Sequence, residues 1–231
     1  MQPYFFPYVG YFSLIRATDF WSVFDDVQFI RHGWIERNRV LNSKNEWHYI
    51  KVPLVKGPRS QTIKDTLIRK DEPWQEVMLA QLTCYKKKAP YYDATIDLVK
   101  QVIHHPWEDI CTLNVAAMEA VCNYLGMPFR YEVFSNANVA IPNENVNAGE
   151  WALHIAKHYK ASVYINPTGG MDLFDPAQYA ANGIEIKFLK NNLVPYIQRI
   201  GRFEPGLSIL DVLMFNSPQD ALRLIDDYQF V

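Results

Sequence analysis

Alternating apolar and polar positions predict several short strands in the first third of the chain. Side chains that alternate in polarity suit the two faces of a sheet, and aromatic and β-branched residues are frequent here. The first 70 residues are therefore predicted to be rich in β-structure. We predict strands at 20–24, 27–30, 34–40, 47–53 and 61–68.

The middle third has the apolar period of amphipathic helices. Asn114 falls within the apolar stripe of the last of them, which ends at Gly126. A buried amide without hydrogen-bond partners costs about 1–3 kcal/mol, so Asn114 either braces a neighbouring loop or contacts a ligand, and bracing is favoured. We predict helices at 74–85, 92–103 and 108–125.

Strands and helices alternate in the final third. Ser208 has the form of a helix N-cap, and Asp211 stands at the capping-box position that Glu or Gln usually holds. Both residues are therefore predicted to have structural roles. We predict strands at 129–134, 162–166 and 184–189, and helices at 149–159, after Asp175 and Pro176, and from Ser208 onward.

These elements predict an α/β or α+β fold with a mixed sheet and a central helical segment. At 231 residues the chain suits one domain with a substantial core. That domain divides into a β-rich part at 1–70, a helical part at 71–126 and an alternating part at 127–231.

The composition excludes several classes of protein. A net charge of -2 leaves no basic excess for a nucleic-acid backbone, and apolar runs end short of the roughly 20 residues of a membrane helix. We expect a cytoplasmic protein with no nucleic-acid partner and no membrane insertion. Three cysteines without CxxC spacing indicate neither disulfides nor zinc, and no metal site is predicted.

The stretch 2–12, QPYFFPYVGYF, holds two prolines and a glycine among its aromatic residues and is predicted to be a shaped loop. Aromatic faces with polar tips can wall a ligand pocket. The polar tips are the amide of Gln2 and the hydroxyls of Tyr4, Tyr8 and Tyr11. The alternative is an aromatic plug that fills part of the core.

Together with that stretch, the motifs DDVQF at 25–29 and GWIERNR at 33–39 resemble the WbqC-like protein family of bacterial surface-polysaccharide gene clusters. The resemblance covers essentially the whole chain. It continues in YINPTGG at 164–170, GIEIKFL at 183–189, FEP at 203–205 and LSILDVLMFN at 207–216.

The resemblance implies an enzyme that tailors sugars for O-antigen or capsule. We expect transfer of an acyl or aminoacyl group, such as glycyl, to the amine of a nucleotide-linked amino sugar. The donor would be a thioester of coenzyme A or of an acyl carrier protein, used as co-substrate, with no tightly bound cofactor. One alternative is a noncatalytic nucleotide-sugar-binding or assembly factor. The other is a glycosyltransferase, although no DxD carboxylate pair is present.

Alternation in 34–40 places Arg37 and Arg39 on one face, and Trp34, Glu36 and Asn38 on the other. Two adjacent guanidiniums form either a solvated edge or a fork for a diphosphate or carboxylate. The family resemblance favours function for Arg37 and Asn38. The predicted substrate-binding residues are Gln2, Tyr4, Tyr8, Tyr11, Trp34, Arg37, Asn38, Asn166, Gly169, Gly170, Tyr196 and Gln198.

His48 and Asp26 are the predicted catalytic residues. His48 alternates with apolar neighbours, a position more typical of a satisfied core histidine, but the ordinary pKa of histidine suits a general base. Asp26 and Asp25 lie between two predicted strands, where an aspartate often stabilises a turn. Either His48 or Asp26 would remove one proton from the acceptor amine.

Overall fold

The computed structural model describes residues 1–141, 146–199 and 201–231, and these form eight α-helices and seven strands. The strands are β1 (Trp21–Val23), β2 (Arg37–Leu41), β3 (Trp47–Lys51), β4 (Tyr131–Val133), β5 (Val163–Pro167), β6 (Glu185–Asn191) and β7 (Tyr228–Phe230). The helices are α1 (Val9–Arg16), α2 (Trp74–Leu82), α3 (Tyr92–Ile103), α4 (Ile110–Leu125), α5 (Ala148–His158), α6 (Pro176–Ala181), α7 (Ile209–Phe215) and α8 (Pro218–Asp226).

The strands form three small sheets, which makes the fold α+β. β1 pairs with β4 in parallel, and β2 pairs with β3 as an antiparallel hairpin. The third sheet has the order β5-β6-β7 and is mixed, because β5 and β6 are parallel whereas β6 and β7 are antiparallel. The predicted fold class is thus confirmed.

The predicted strands at 27–30 and 61–68 are wrong, since only isolated bridges form there, one of them between Gln28 and Thr62. The hydroxyl of Thr66 donates to the carbonyl of Thr62 at 2.7 Å, and that of Thr62 donates to Asp65 at 2.6 Å. Such local bonds give the backbone a turn as an alternative to a sheet ladder.

Residues 2–8 form neither a helix nor a strand, and α1 begins directly after them, inside the stretch predicted to be a loop. Asn114 of α4 donates from Nδ2 to the carbonyls of Pro3 and Ile35, each at 2.9 Å. The predicted bracing role of Asn114 is confirmed. Phe5 and Phe6 are fully buried in the main core, so this segment fills the core as well as shaping the surface.

The structural role predicted for Ser208 is confirmed, whereas the capping-box position predicted for Asp211 is wrong. Ser208 caps α7 by accepting from the backbone of Leu210 at 3.2 Å. The backbone N–H of Ser208 donates to the carbonyl of Arg39 at 2.8 Å, so it does not form the capping-box hydrogen bond to the Asp211 side chain. The Asp211 carboxylate instead lies fully buried among polar side chains of other segments.

The three cysteines are free thiols, and two are buried in α4. Burial raises the pKa of Cys122 to about 12 and raises that of Cys111 still further. The pKa of Cys84 is raised too, and its thiol donates to the carbonyl of Leu41 at 3.1 Å. Within the described residues, no helix is long and apolar enough to cross a bilayer.

Thiol labelling of the native protein should therefore modify Cys84 before Cys111 and Cys122. Thiolates react and buried thiols do not, so Cys111 and Cys122 should become reactive only in denaturant. Titration with a disulfide reagent at pH 8, with and without guanidinium chloride, measures the reactivity of the thiols in the unfolded and the native protein. Rapid reaction of Cys111 in the native protein would contradict this expectation.

Candidate functional site

The β2–β3 hairpin carries cations and aromatic rings on one face. Its register pairs Arg37 with Lys51 and Arg39 with Tyr49. Side chains of directly paired residues lie on the same side of a sheet. The Arg37 guanidinium carbon lies 4.0 Å from the centre of the Tyr49 ring, which is close enough for a cation–π interaction.

Two tryptophans continue this surface. The guanidinium carbon of Arg39 lies 5.6 Å from the ring centre of Trp34 and 5.2 Å from that of Trp47. Each tryptophan is 40% exposed, an unusual state for so large an apolar side chain. We call Trp34, Trp47 and Tyr49 the aromatic shelf.

The prediction that Trp34 and Glu36 lie on the face opposite the arginines is wrong. Strand β2 begins only at Arg37, so strand alternation does not extend back to residues 31–36. These residues form a turn in which His32 adopts a left-handed backbone with φ 61°. The backbone N–H of His32 donates to Oε1 of Glu36 at 2.7 Å and fixes that carboxylate beside the turn.

A cavity of about 320 Å³ opens beside the hairpin and the turn. We call it the basic groove, because four cationic side chains and a single carboxylate line it. Its volume lies at the lower end of the range for small-molecule sites. The charged lining residues are Arg31, Glu36, Arg37, Lys51 and Lys56.

The cations of the basic groove have no carboxylate partner within 4.0 Å among the residues that the structure describes. Arg37 donates through Nη2 to the carbonyl of His32, and Arg31 donates to that of Gly57 at 2.7 Å. Nε of Arg37 is buried and makes no hydrogen bond to a described residue. The groove therefore concentrates positive charge that protein acidic groups do not neutralise, and it suits an anion.

The polar residues of the opening segment are buried or half-buried. Tyr11 donates its hydroxyl to the carbonyl of Gln2, and its ring centre lies 5.1 Å from that of Tyr4. Burial raises the pKa of Tyr4, Tyr8 and Tyr11. The basic groove is lined by none of the predicted residues of this segment, Gln2, Tyr4, Tyr8 and Tyr11. Their predicted contacts with substrate stay predictions.

Asn38 holds the opening segment in place. It is 3% exposed, and its Nδ2 donates to the carbonyls of Phe5 at 3.1 Å and Phe6 at 3.0 Å. Oδ1 accepts from the backbone N–H of Arg39 at 2.8 Å. Because the amide already has these partners, the structure shows a positioning role, while substrate contact by Asn38 stays a prediction.

The two predicted catalytic residues have different surroundings. His48 pairs with Val40 on the inward face of the hairpin, both ring nitrogens are buried without a described partner, and burial lowers the pKa of its imidazole. Asp26 forms a partly exposed ion pair with Lys64 at 2.8 Å. No described contact joins His48 and Asp26, and their role as bases stays a prediction.

The predicted loop site at Asn166 belongs to the sheet formed by β5, β6 and β7. Asn166 is 6% exposed, accepts from the hydroxyl of Tyr164 at 3.3 Å and donates to the carbonyl of Pro167 at 3.2 Å. A Cβ atom at Gly170 would lie 2.4 Å from Nδ2 of Asn166, so this glycine permits close packing on the amide. Gly169 has open space around it. None of these three residues lines the basic groove.

Tyr196 and Gln198 meet in a buried network around Asp211. The Asp211 carboxylate accepts from the hydroxyls of Tyr196 and Tyr85, the latter at 2.7 Å, and from Nε2 of Gln198 at 2.8 Å. Burial raises the pKa of Asp211 to about 6, although all three donors act to lower it. Burial and the nearby carboxylate raise the pKa of both tyrosines well above the ordinary value.

Four charged residues of the groove were missed by the sequence prediction: Arg31, Glu36, Lys51 and Lys56. For Lys51 a signal existed, because its alternation with Trp47 and Tyr49 placed it on the same face as those rings. The hairpin register then brings Lys51 opposite Arg37. No local pattern marks Arg31 or Lys56, since loops converge only in the folded chain. No cluster of metal-ligating side chains occurs among the described residues.

Comparisons with known proteins place these features in a wider setting. The model of the WbqC-like protein family matches residues 2–222. The chain is similar to the uncharacterized protein Rv1507c of Mycobacterium tuberculosis, with 26% identity over 231 residues that cover 96% of this chain and 94% of that protein. No solved structure matches the chain significantly. The family match includes every residue of the basic groove and the aromatic shelf.

Proposed function

Because this chain belongs to the WbqC-like protein family, we propose that it tailors a nucleotide-linked amino sugar of surface-polysaccharide biosynthesis. The reaction is transfer of an acyl or aminoacyl group, such as glycyl, from a thioester of coenzyme A or a carrier protein to the sugar amine. The observation that supports it most is the basic groove, with four cations, one carboxylate and an exposed aromatic shelf beside it.

The basic groove suits the diphosphate of such a substrate. Arginine presents a planar fork of donors that matches phosphate oxygens, and Lys51 faces Arg37 across the hairpin. Stacking on Tyr49 holds the Arg37 guanidinium in a fixed plane. The exposed rings of Trp34 and Trp47 offer flat apolar surfaces for a base or a sugar.

The proposed reaction requires little from the protein beyond alignment of the sugar amine with the thioester. The neutral sugar amine attacks the thioester carbonyl, a C–N bond forms and the C–S bond breaks, and a base passes the proton that the amine loses to the leaving thiolate. His48 is the first proposed proton acceptor, since its lowered pKa keeps the imidazole neutral near pH 7. Asp26 is the second.

A noncatalytic nucleotide-sugar-binding factor is the second candidate function. Neither His48 nor Asp26 lines the basic groove, which favours this function, because a binding factor needs the groove but no base. The two functions share the ligand and differ in turnover. Incubation with nucleotide-linked amino sugars and acyl thioesters, followed by mass spectrometry for acylated sugar and free thiol, separates them.

Nucleotide sugars should raise the melting temperature, and Arg37→Lys should reduce that rise. A ligand at 100 times its Kd adds about 2.7 kcal/mol, which is roughly 5–10 °C for a chain of this length. Lysine keeps the charge but loses the fork and the stacking on Tyr49, so we expect Kd to rise about tenfold. A thermal-shift screen with dTDP-, UDP- and GDP-linked amino sugars measures both effects.

Arg223→Lys is the matched control. Arg223 is exposed on α8, where it contacts Asp220 at 2.7 Å, and it does not line the basic groove. Its variant should respond to nucleotide sugars as the parent protein does. A panel that gives no shift with any nucleotide sugar would refute both candidate functions, and equal effects of the two lysine variants would refute the role of Arg37.

A further inference from the structure

Glu36 is unusual among the charged residues of the basic groove. It alone carries a carboxylate among the described residues that line the groove, and no arginine or lysine nitrogen of the described chain lies within 4.0 Å of it. One carboxylate oxygen accepts from the backbone of His32 at 2.7 Å. The other oxygen, Oε2, is buried and has no described hydrogen-bond partner.

A buried acceptor without a donor is costly, and more so when the group is charged. Four cations line the same groove, yet none is paired with the carboxylate. Glu36 is also held in position, because the bond from His32 anchors it to the turn before β2. The terminal torsion of a glutamate is broad, so the carboxylate can adjust to a ligand donor that supplies the missing partner of Oε2.

We propose that Glu36 binds the amine of a ligand whose phosphate is held by Arg37. The basic groove thus selects molecules that carry both an anionic group and a protonated amine, such as an amino-sugar phosphate. Glu36 thereby determines specificity for an amine over a hydroxyl at the same position. This assignment rests on the proposed function and names the group that recognises the acceptor nitrogen as an ammonium, before a base removes the proton that must leave for attack.

The charges of the groove explain why this arrangement favours a ligand with an amine over one with a hydroxyl. A sugar phosphate with only hydroxyls would satisfy the cations but leave the carboxylate with a neutral donor. An ammonium group gives Glu36 a charge-assisted hydrogen bond, which is stronger than a neutral one. Sites that leave a buried polar group poorly paired reject the wrong ligand strongly. We expect preference for the amine by about tenfold in Kd.

The test compares glucosamine 1-phosphate with glucose 1-phosphate, which differ by an amine in place of one hydroxyl. Titrations followed by NMR at pH 7 give Kd for each probe with the parent protein and with Glu36→Gln. Glutamine keeps the acceptor for His32 but removes the charge. We expect the variant to lose the amine preference, through weaker binding of the amino probe, while glucose 1-phosphate binds at least as well.

Glu46→Gln is the matched control, because Glu46 is exposed in the turn of the same hairpin and does not line the groove. It changes the net charge equally and should keep the preference. Equal Kd values of the two probes for the parent protein, a preference that survives Glu36→Gln, or no binding of either probe at millimolar concentration would each overturn the assignment. The nucleotide-sugar screen is independent: a shift there that depends on Arg37 would leave the proposed function standing even then.

Discussion

Replacing Asn38 with alanine is expected to lower the free energy of unfolding by about 3–5 kcal/mol. The amide is 3% exposed and serves three backbone groups, the carbonyls of Phe5 and Phe6 and the N–H of Arg39. Alanine would leave the Phe5 carbonyl and the Arg39 N–H unpaired in the interior and create a small cavity, whereas the Phe6 carbonyl would keep its bond from the Ser208 hydroxyl at 2.7 Å. This is a large fraction of the stability of an ordinary domain.

Urea denaturation measures this loss, with Asn123→Ala as the matched control. Asn123 is exposed on α4, where replacement by alanine should change stability by no more than about 0.5 kcal/mol. A loss below about 1 kcal/mol for Asn38→Ala would show that the opening segment is held by packing instead of by this amide.

The stability difference between the parent protein and Asp211→Asn is expected to depend strongly on pH. Burial raises the pKa of Asp211 from 3.8 to about 6, so between these values the native state binds more protons than the unfolded state. The stability contributed by Asp211 is therefore present at low pH and is lost as pH rises through this window. The loss is on the order of 1–3 kcal/mol between pH 4 and pH 7.

Asparagine has no such titration, so subtraction isolates Asp211 from other groups. We expect the parent protein to lose stability relative to Asp211→Asn as pH rises from 4 to 7. Urea denaturation of both proteins at each pH unit measures the difference. Asp97→Asn, which changes an exposed carboxylate on α3, is the matched control. A difference that is flat with pH, or that grows in the opposite direction, would contradict the raised pKa.

The Asp211 network also explains why such a residue is hard to interpret from sequence. A serine three positions earlier gave Asp211 a complete local explanation as part of a helix start. Its partner Tyr85 lies 126 residues away, and Tyr196 and Gln198 come from a segment without regular secondary structure. A local sequence pattern cannot predict hydrogen-bond donors that belong to distant segments of the chain.

Periodicity predicted helices and strands correctly where the burial of their side chains follows from the spacing within one element. The predicted helix at 92–103 matches α3, and alternation gave the inward and outward faces of β3. It failed in the segment 61–68, where threonine hydroxyls bond the local backbone and form a turn. It also failed before β2, where a turn places Trp34 beside Arg39.

The sequence by itself determined the helices after α1 and most strands, the family and the bracing role of Asn114. Each depends on spacing within one segment or on a contiguous motif. Only the tertiary structure decided that Arg37 shares a groove with Lys51 and Lys56, and that Glu36 lies among these cations. Strand register and loop packing set which side chains converge, and neither is encoded in the period of a single segment.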